Sequence, residues 1–133
     1  MAFVGLDGGA TSTSATALDE NGTVLLRAKK DSGSNPYLCG VVTAAQCLSE
    51  LFHEVNEALH QTSPSLQVDT CCITMSGVDD TGMRSNVEAE MNRLCGSSYQ
   101  RLILVGDTTA GFGFLQPDRP GIVLVAGTGS VAR

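Results

Sequence analysis

The spacing of hydrophobic and polar positions changes along this sequence, and the change predicts strands first and helices later. Residues 3–6 form a short apolar run that stops near glycines, which is typical of a buried strand. A stretch rich in Thr and Ala follows and reaches Asn21-Gly22, a strong signal for a hairpin turn. Residues 23–29 then alternate loosely between apolar and polar side chains. The pattern therefore predicts three antiparallel strands joined by short turns.

The next part of the chain has helical spacing. Asn35 and Pro36 suit the N-cap and the first position of a helix. Across residues 41–59 the apolar side chains recur with a period close to 3.6, which places them on one face of a long helix. We expect this helix to end before Ser63-Pro64, where proline disfavours its continuation.

Three further apolar segments are predicted as strands, because each is short and bounded by glycine, proline or polar residues. They are residues 68–75, 101–105 and 122–126. Asp79-Asp80-Thr81 is predicted to cap a helix between the first two, and a short helix is expected over residues 108–114. The resulting order, β-β-β-α-β-α-β-α followed by a new strand, predicts an α/β fold with a mixed sheet covered by helices.

Composition and charge exclude several classes of function. The 133 residues carry a net charge of −6 with only eight Lys and Arg, so no basic surface for nucleic acid is expected. No apolar run approaches the about 18 residues of a membrane span, and no basic segment precedes the first apolar residues as in a signal peptide. We predict a soluble, cytoplasmic protein. The five cysteines lack Cys-x-x-Cys spacing and are interpreted as core thiols.

Asp7-Gly8-Gly9 is the first candidate for chemistry, since a carboxylate and two glycines follow a predicted buried strand. Glycine can adopt positive φ and present its N–H group, and such amides beside a carboxylate can hold a phosphate and its Mg²⁺. The motif is neither a P-loop, which needs Gly-Lys-Ser/Thr, nor a Rossmann fingerprint, which needs a helix after the turn. A tight hairpin turn without a ligand is the alternative interpretation.

Two later motifs repeat this arrangement. Asp107 follows a predicted strand at Gly106, so its carboxylate is expected at the carboxyl edge of the sheet, where ligands of open α/β sheets bind. Asp107 can also serve as the N-cap of the next helix. Residues 127–130, Gly-Thr-Gly-Ser, follow the last apolar strand. Alone they would be an ordinary hairpin turn, but together with Asp7-Gly8-Gly9 they predict two facing turns that hold phosphate.

These motifs resemble a known group of proteins. Residues 4–11 (Val-Gly-Leu-Asp-Gly-Gly-Ala-Thr), 106–111 (Gly-Asp-Thr-Thr-Ala-Gly) and 125–130 (Val-Ala-Gly-Thr-Gly-Ser) are similar to three motifs of the sugar kinase, Hsp70 and actin ATPase superfamily. Within it, the sequence looks closest to the N-acetylglucosamine kinases, which are grouped with the BadF/BadG/BcrA/BcrD-type ATPases. The resemblance runs the full length of the chain. It implies a ribonuclease H-like mixed sheet, as in the first domain of an actin-like ATPase fold.

The resemblance also implies roles for individual residues. Asp7 would hold Mg²⁺, and Asp107 would accept the proton of a sugar hydroxyl as it attacks the γ-phosphate of ATP. Asn35 would hydrogen-bond the sugar, although its capping role alone explains its presence. Ser76-Gly77 matches a family turn near the cleft. The two phosphate loops would be formed by Gly8, Gly9 and Thr11 and by Gly127, Thr128 and Gly129.

The sequence departs from the superfamily in two respects. The superfamily fold has two similar domains with the nucleotide between them. Here residues 1–117 are predicted to form the first domain, and residues 118–133 only the opening strand and phosphate turn of a second. We therefore expect the N-terminal portion of a longer kinase, inactive as an isolated chain. Ala10 also stands where the family often has a third glycine, so its methyl group either crowds the loop or is tolerated at negative φ.

The resemblance implies phosphorylation of N-acetylglucosamine or glucosamine by the full-length protein, with ATP and Mg²⁺ as cofactors. Its partners would be a small-molecule sugar and a nucleotide, and a homodimer is left open. One alternative is an activator ATPase of the BadF/BcrA kind, without a sugar substrate, whose relatives bind an iron–sulfur cluster through cysteines at a subunit interface. Another is a non-catalytic sugar-sensing domain. The scattered cysteines disfavour the first alternative, and the intact Asp7 and Asp107 disfavour the second.

Overall fold

A five-stranded mixed sheet organises the protein, whose computed structural model describes residues 1–112, 122, 124–126 and 130–132. The strand order is β3-β2-β1-β4-β5, in which β1, β2 and β3 pair antiparallel while β1, β4 and β5 pair parallel. The strands span Ala2–Gly8 (β1), Thr13–Asp19 (β2), Val24–Lys30 (β3), Val68–Met75 (β4) and Arg101–Gly106 (β5). Two short strands, Leu124–Ala126 (β6) and Ser130–Ala132 (β7), form a separate antiparallel pair.

Four helices connect these strands in the described part of the chain. They span Pro36–Cys39 (α1), Val41–Thr62 (α2), Thr81–Cys95 (α3) and Asp107–Phe112 (α4), and a 3₁₀ turn at Gly96–Ser98 follows α3. Asn35 and Asp80 are the N-caps of α1 and α3, because their side chains accept hydrogen bonds from the N–H groups of Tyr37 and Met83. The predicted order of strands and helices is therefore confirmed, as is the mixed sheet.

The structure differs from the prediction where the first helix begins. Pro36 opens only a single turn, α1, and Gly40 with φ of +83° separates it from α2. A left-handed conformation cannot continue a right-handed helix, and glycine adopts it at little cost. The predicted helix over residues 108–114 begins one residue earlier, at Asp107. It is described as far as Phe112, and residues 113–114 lie outside the described part.

One face of the sheet forms the hydrophobic core. Ala2, Val4 and Leu6 of β1 alternate with exposed residues and point towards α2, whose apolar stripe includes the fully buried Leu48 and Phe52. Helix α3 packs on α2 and contributes Val87 and Met91, among others, to the same core. The opposite face of β1 is exposed, so a side chain on that face is available for chemistry.

The cysteines follow the core prediction in part. Cys47, Cys71 and Cys95 are buried, whereas Cys39 and Cys72 are half-buried, and all five are free thiols. Burial raises the pKa of the Cys71 thiol, which keeps it protonated and unreactive. In the ranges that the structure describes, no helix is long and apolar enough to cross a bilayer.

Candidate active site

The candidate site lies where β1, β4 and β5 end. These three strands are parallel, so their carboxyl ends meet at one edge of the sheet and bring Asp7, Ser76 and Asp107 there. Since Leu6 and Gly8 point into the core, Asp7 lies on the exposed face between them. The Thr74 hydroxyl donates a hydrogen bond of 3.3 Å to Asp7 Oδ1. The carboxylate is thus oriented by a neighbour and still accessible from solvent.

The first candidate phosphate loop connects β1 to β2. Gly8 is buried, Gly9 is half-buried, and Thr11 is exposed. Positive φ among the described glycines occurs only at Gly22, Gly40 and Gly77, so the expectation of positive φ at Gly8 and Gly9 was wrong. The Gly9 N–H donates to the Ser12 carbonyl at 3.0 Å. Gly8 is needed for close packing instead, because a Cβ there would collide with Ser34 Oγ and lie 3.0 Å from Met75 Cβ.

A second loop, residues 31–35, packs against the first. The Ser34 N–H donates a 2.9 Å hydrogen bond to the Gly9 carbonyl, and Gly33 Cα lies directly against the Ala10 carbonyl, where a Cβ would overlap that oxygen. Ala10 itself has no positive φ. Its methyl group is therefore tolerated, and the close approach of the two loops depends on glycine at position 33.

Asn35 joins this second loop to the end of β4. Its Oδ1 accepts the Tyr37 N–H at 3.0 Å, and its Nδ2 donates to Ser76 Oγ at 3.2 Å. Gly77, with φ of +84°, passes so close that a Cβ would lie 2.8 Å from Asn35 Oδ1. The side chain is half-buried and held in one orientation. An amide oxygen has two lone pairs and its NH₂ has two hydrogens, so one acceptor and one donor are left for a ligand.

Asp107 is half-buried at the first position of α4. Burial has the largest effect on its pKa, which it raises, and the carboxylates of Asp7 and Asp79 raise the pKa further. β4 lies between β1 and β5, so the strand that carries Asp7 and the strand that leads into Asp107 are about 10 Å apart, two strand spacings. The Asp7 carboxylate thus acts on Asp107 across the intervening strand β4.

Asp79 is the residue that sequence reasoning missed. The run Asp79-Asp80-Thr81 is predicted as a whole to cap a helix, but only Asp80 is the N-cap. Asp79 packs on β5, where a Cβ on Gly106 would lie 2.5 Å from its Oδ1. Its negative charge raises the pKa of Asp107. The pair Asp79-Asp80 could have indicated this in the sequence. A helix has only one N-cap position, so the second carboxylate, which follows the end of a buried strand, can have another role.

The second candidate phosphate loop, Gly127, Thr128 and Gly129, lies outside the described residues. The flanking strands β6 and β7 pair antiparallel, as expected for a hairpin. Within the described part, no group of three or more His, Cys, Asp or Glu side chains is arranged to hold a metal ion. Mg²⁺ is commonly bound through one or two carboxylates, with water and substrate phosphates as its other ligands, and the exposed carboxylate of Asp7 suits such an ion.

A family model and a curated relative both match nearly the whole chain. Residues 4–132 match the family model of the BadF/BadG/BcrA/BcrD ATPase family. The N-acetyl-D-glucosamine kinase of Dictyostelium discoideum is 30% identical over an alignment 135 residues long, which covers 98% of this chain and 42% of that protein. The chain thus spans less than half the length of this relative.

Two solved structures share the fold. A protein proposed to be an N-acetylglucosamine kinase from Chromobacterium violaceum superposes with a TM-score of 0.68 at 24% identity, over 98% of this chain and 44% of that chain. A second protein proposed to be an N-acetylglucosamine kinase, from Porphyromonas gingivalis, superposes with a TM-score of 0.70 at 22% identity, over 98% of this chain and 43% of that chain. These likenesses confirm the predicted sugar kinase and actin-like ATPase fold. With a family model that matches nearly every residue, the chain belongs to the BadF/BadG/BcrA/BcrD ATPase family.

Proposed function

We propose that the full-length protein is an ATP-dependent kinase of an amino sugar, N-acetylglucosamine or glucosamine. The observation that carries the proposal is the convergence of Asp7, Asn35 and Asp107 at the carboxyl edge of the sheet, through the parallel strands and the Asn35–Ser76 hydrogen bond. The 30% identity to an N-acetyl-D-glucosamine kinase supports the choice of sugar. Phosphoryl transfer needs mainly positioning and charge neutralisation, which these groups are suited to supply.

Asp107 is proposed as the base. Its carboxylate would accept the proton of the sugar hydroxyl while that oxygen attacks the γ-phosphate. Burial and two neighbouring carboxylates raise its pKa, which makes it a stronger proton acceptor than an isolated aspartate. A carboxylate in this environment is costly to keep charged, and such perturbed groups occur often at functional sites, which favours a role in chemistry over helix capping alone.

The nucleotide would lie against the first loop. Asp7 is proposed to hold Mg²⁺, and Gly8, Gly9 and Thr11 to line the phosphates, with Gly127, Thr128 and Gly129 as the second phosphate loop. An exposed carboxylate oriented by one hydroxyl fits this ion, which is commonly bound through one or two carboxylates plus phosphate and water. When bound, Mg²⁺ neutralises charge on the phosphates.

The sugar would contact Asn35. Its anchored amide keeps one donor and one acceptor available, which matches a hydroxyl group able to accept and donate. Residues 1–117 would act as the first domain, and residues 118–133 as the start of a second domain that supplies further contacts. The chain spans 42% of the length of its kinase relative, so the activity is proposed for the full-length protein.

The test is a coupled ADP-release assay on the natural gene product, with N-acetylglucosamine, glucosamine or no sugar. Asp107→Asn removes the base at nearly constant shape and should lower sugar-dependent release by about 100-fold or more. Glu57→Gln, on the exposed side of α2, removes the same charge far from the site and should leave the rate unchanged.

The outcomes separate the alternatives. Sugar-dependent release that is lost in Asp107→Asn would establish the kinase and its base together. Hydrolysis that proceeds equally without sugar would replace the kinase by an activator-type ATPase. A natural product that binds sugar but releases no ADP would instead point to a sensing domain.

A further inference from the structure

A cluster of polar groups lies behind the two loops of the candidate site. It consists of the side chains of Thr13 at the start of β2, Ser34 in the 31–35 loop and Cys47 on α2, together with the Ser32 carbonyl. Thr13 Oγ1 is 2.9 Å from the Ser32 carbonyl oxygen, 3.1 Å from Ser34 Oγ and 3.5 Å from Cys47 Sγ. Thr13 and Ser34 are both 0% exposed. Polar groups buried to this extent are costly unless each is paired, so the cluster specifies one arrangement.

The hydroxyl of Thr13 is the centre of this cluster. Its single hydrogen is shared between two acceptors, the Ser32 carbonyl and Ser34 Oγ, and its lone pairs remain for the Cys47 thiol. The first phosphate loop ends at Thr13, and the loop that carries Asn35 includes Ser32 and Ser34. One hydroxyl thus connects both loops.

Three further hydrogen bonds connect the two loops to the end of β4, on the side of the candidate site. The Ser34 N–H donates to Gly9 O at 2.9 Å, Asn35 Nδ2 donates to Ser76 Oγ at 3.2 Å, and the Ser76 N–H donates to Gly8 O at 3.2 Å. The first of these bonds is made by the backbone of Ser34 and the second by the side chain of Asn35, the next residue in the chain. These contacts join the phosphate loop to the amide proposed to bind the sugar.

We propose that Thr13 and Ser34 are positioning residues which couple the nucleotide loop to the sugar loop, so that each ligand strengthens the binding of the other. This inference rests on the proposed kinase function. The physical reason is that a ligand which shifts one loop also shifts the loop bonded to it, so the second ligand meets a site that is already adjusted.

The alternative is a buried cluster that supports only the folded state. The two accounts differ in what the loss of the Thr13 hydroxyl changes. Thr13→Val keeps the branched shape but removes the hydroxyl, whereas Thr13→Ser keeps the hydroxyl and removes a buried methyl group. If the cluster serves only the folded state, Thr13→Val lowers stability, because the Ser32 carbonyl and Ser34 Oγ lose their donor, but it leaves the coupling between the ligands unaltered. If the cluster positions the loops, Thr13→Val removes the coupling and Thr13→Ser retains it.

The experiment measures the dissociation constant of N-acetylglucosamine by calorimetry, with and without Mg·ADP, on the natural gene product. The ratio of the two constants is the coupling factor, expected at about fivefold to tenfold for the unaltered protein. Thr13→Val should bring the coupling factor close to one, because a fivefold to tenfold change is about what the loss of one neutral hydrogen bond produces. Thr13→Ser should retain it. Cys47→Ala leaves the Thr13–Ser34 contact in place and should also retain it.

Ser34→Ala provides a second route if Thr13→Val does not fold, because it removes the other hydroxyl of the pair and keeps the backbone bond to Gly9. It should also bring the ratio close to one. An unaltered ratio in a folded Thr13→Val or Ser34→Ala protein would overturn the coupling and leave the kinase intact. A ratio of one in the unaltered protein would overturn it as well. Absence of both sugar binding and sugar-dependent ADP release would overturn the kinase, and the coupling with it.

Discussion

The hairpin turn at residues 20–23 and the loop at residues 31–35 flank the same strand, β3, but they are built on different principles. The hairpin is stabilised within itself. Asp19 Oδ1 accepts the N–H groups of Asn21 and Thr23 at 2.8 Å each, and Gly22 has φ of +79° with open space where a Cβ would lie. The 31–35 loop instead bonds to residues 9, 13 and 76, which are distant in sequence. A turn needs only its own residues, whereas a site needs several loops held together.

Glycine shows the difference most clearly. Gly22 is required by its left-handed backbone and has open space around it, while Gly33 has no such φ and lies against the Ala10 carbonyl. The first glycine is a matter of local conformation, and the second a matter of contact between loops. The two positions should consequently respond differently to the same substitution.

Gly33→Ala should have the largest effect. Its Cβ would overlap a backbone oxygen that cannot rotate away, so the two loops must separate at a cost of about 3 kcal/mol. A urea titration of the natural gene product would measure this loss as a lower unfolding midpoint. Unchanged stability would contradict the close packing of the two loops.

Gly22→Ala is the matched control and should cost about 1–2 kcal/mol, the penalty of left-handed backbone for a residue with a side chain. The hairpin lies at the end of the sheet opposite the candidate site, so binding of Mg·ADP should not change. If both glycine variants lost the same stability and the same affinity for Mg·ADP, the two glycines would not differ in role. The contrast between a local turn and a contact between loops would then be wrong.

Two aspartates extend the comparison to charge. Hydrogen bonds, the largest from the Thr23 N–H, lower the pKa of Asp19, whereas burial and neighbouring carboxylates raise the pKa of Asp107. A lowered pKa adds stability above the unfolded-state pKa, and that stability is lost as the pH falls through the folded-state pKa. For a raised pKa, the stability is present at low pH and is lost as the pH rises through the folded-state pKa.

Asp107→Asn should therefore stabilise the protein at neutral pH, by less than about 1 kcal/mol because solvent screens a half-exposed group. Asp19→Asn should destabilise it. Thermal unfolding at pH 7 and at pH 3 would test both signs, since the two differences should shrink in acid. A less stable Asp107→Asn protein at pH 7 would show that this carboxylate serves the fold.

Asp79→Asn should produce the smallest effect. Burial is the main cause of the raised pKa of Asp107, and the two neighbouring carboxylates contribute less. Asp79→Asn removes one of these two carboxylates, so the pKa of the base should fall slightly. In the ADP-release assay, the acid limb of kcat/KM should move to lower pH. Asp80→Asn is the control, because Asp80 only caps α3 and asparagine caps equally well. An identical shift in both variants would contradict the specific role of Asp79.

Much of the fold could be predicted because its signals are local. The apolar alternation of β1, the N-caps at Asn35 and Asp80 and the turn at Gly22 each depend on residues within a few positions of one another. Asp7 and Asp107 could be singled out for a related reason, since each follows or ends a recognisable buried strand. The helix break at Gly40 was missed, because glycine within an apolar pattern does not reveal its φ.

The sequence by itself determined the order of strands and helices, the polar residues at strand ends and, through its motifs, the family. Only the tertiary structure decided which of those residues meet. That Gly8 is needed for packing against Ser34, that Asp79 faces Asp107, and that Thr13 joins two loops all depend on contacts between residues far apart in the chain. Hydrogen-bond and steric energies depend on distances of a few ångström, and strand pairing and helix packing set those distances.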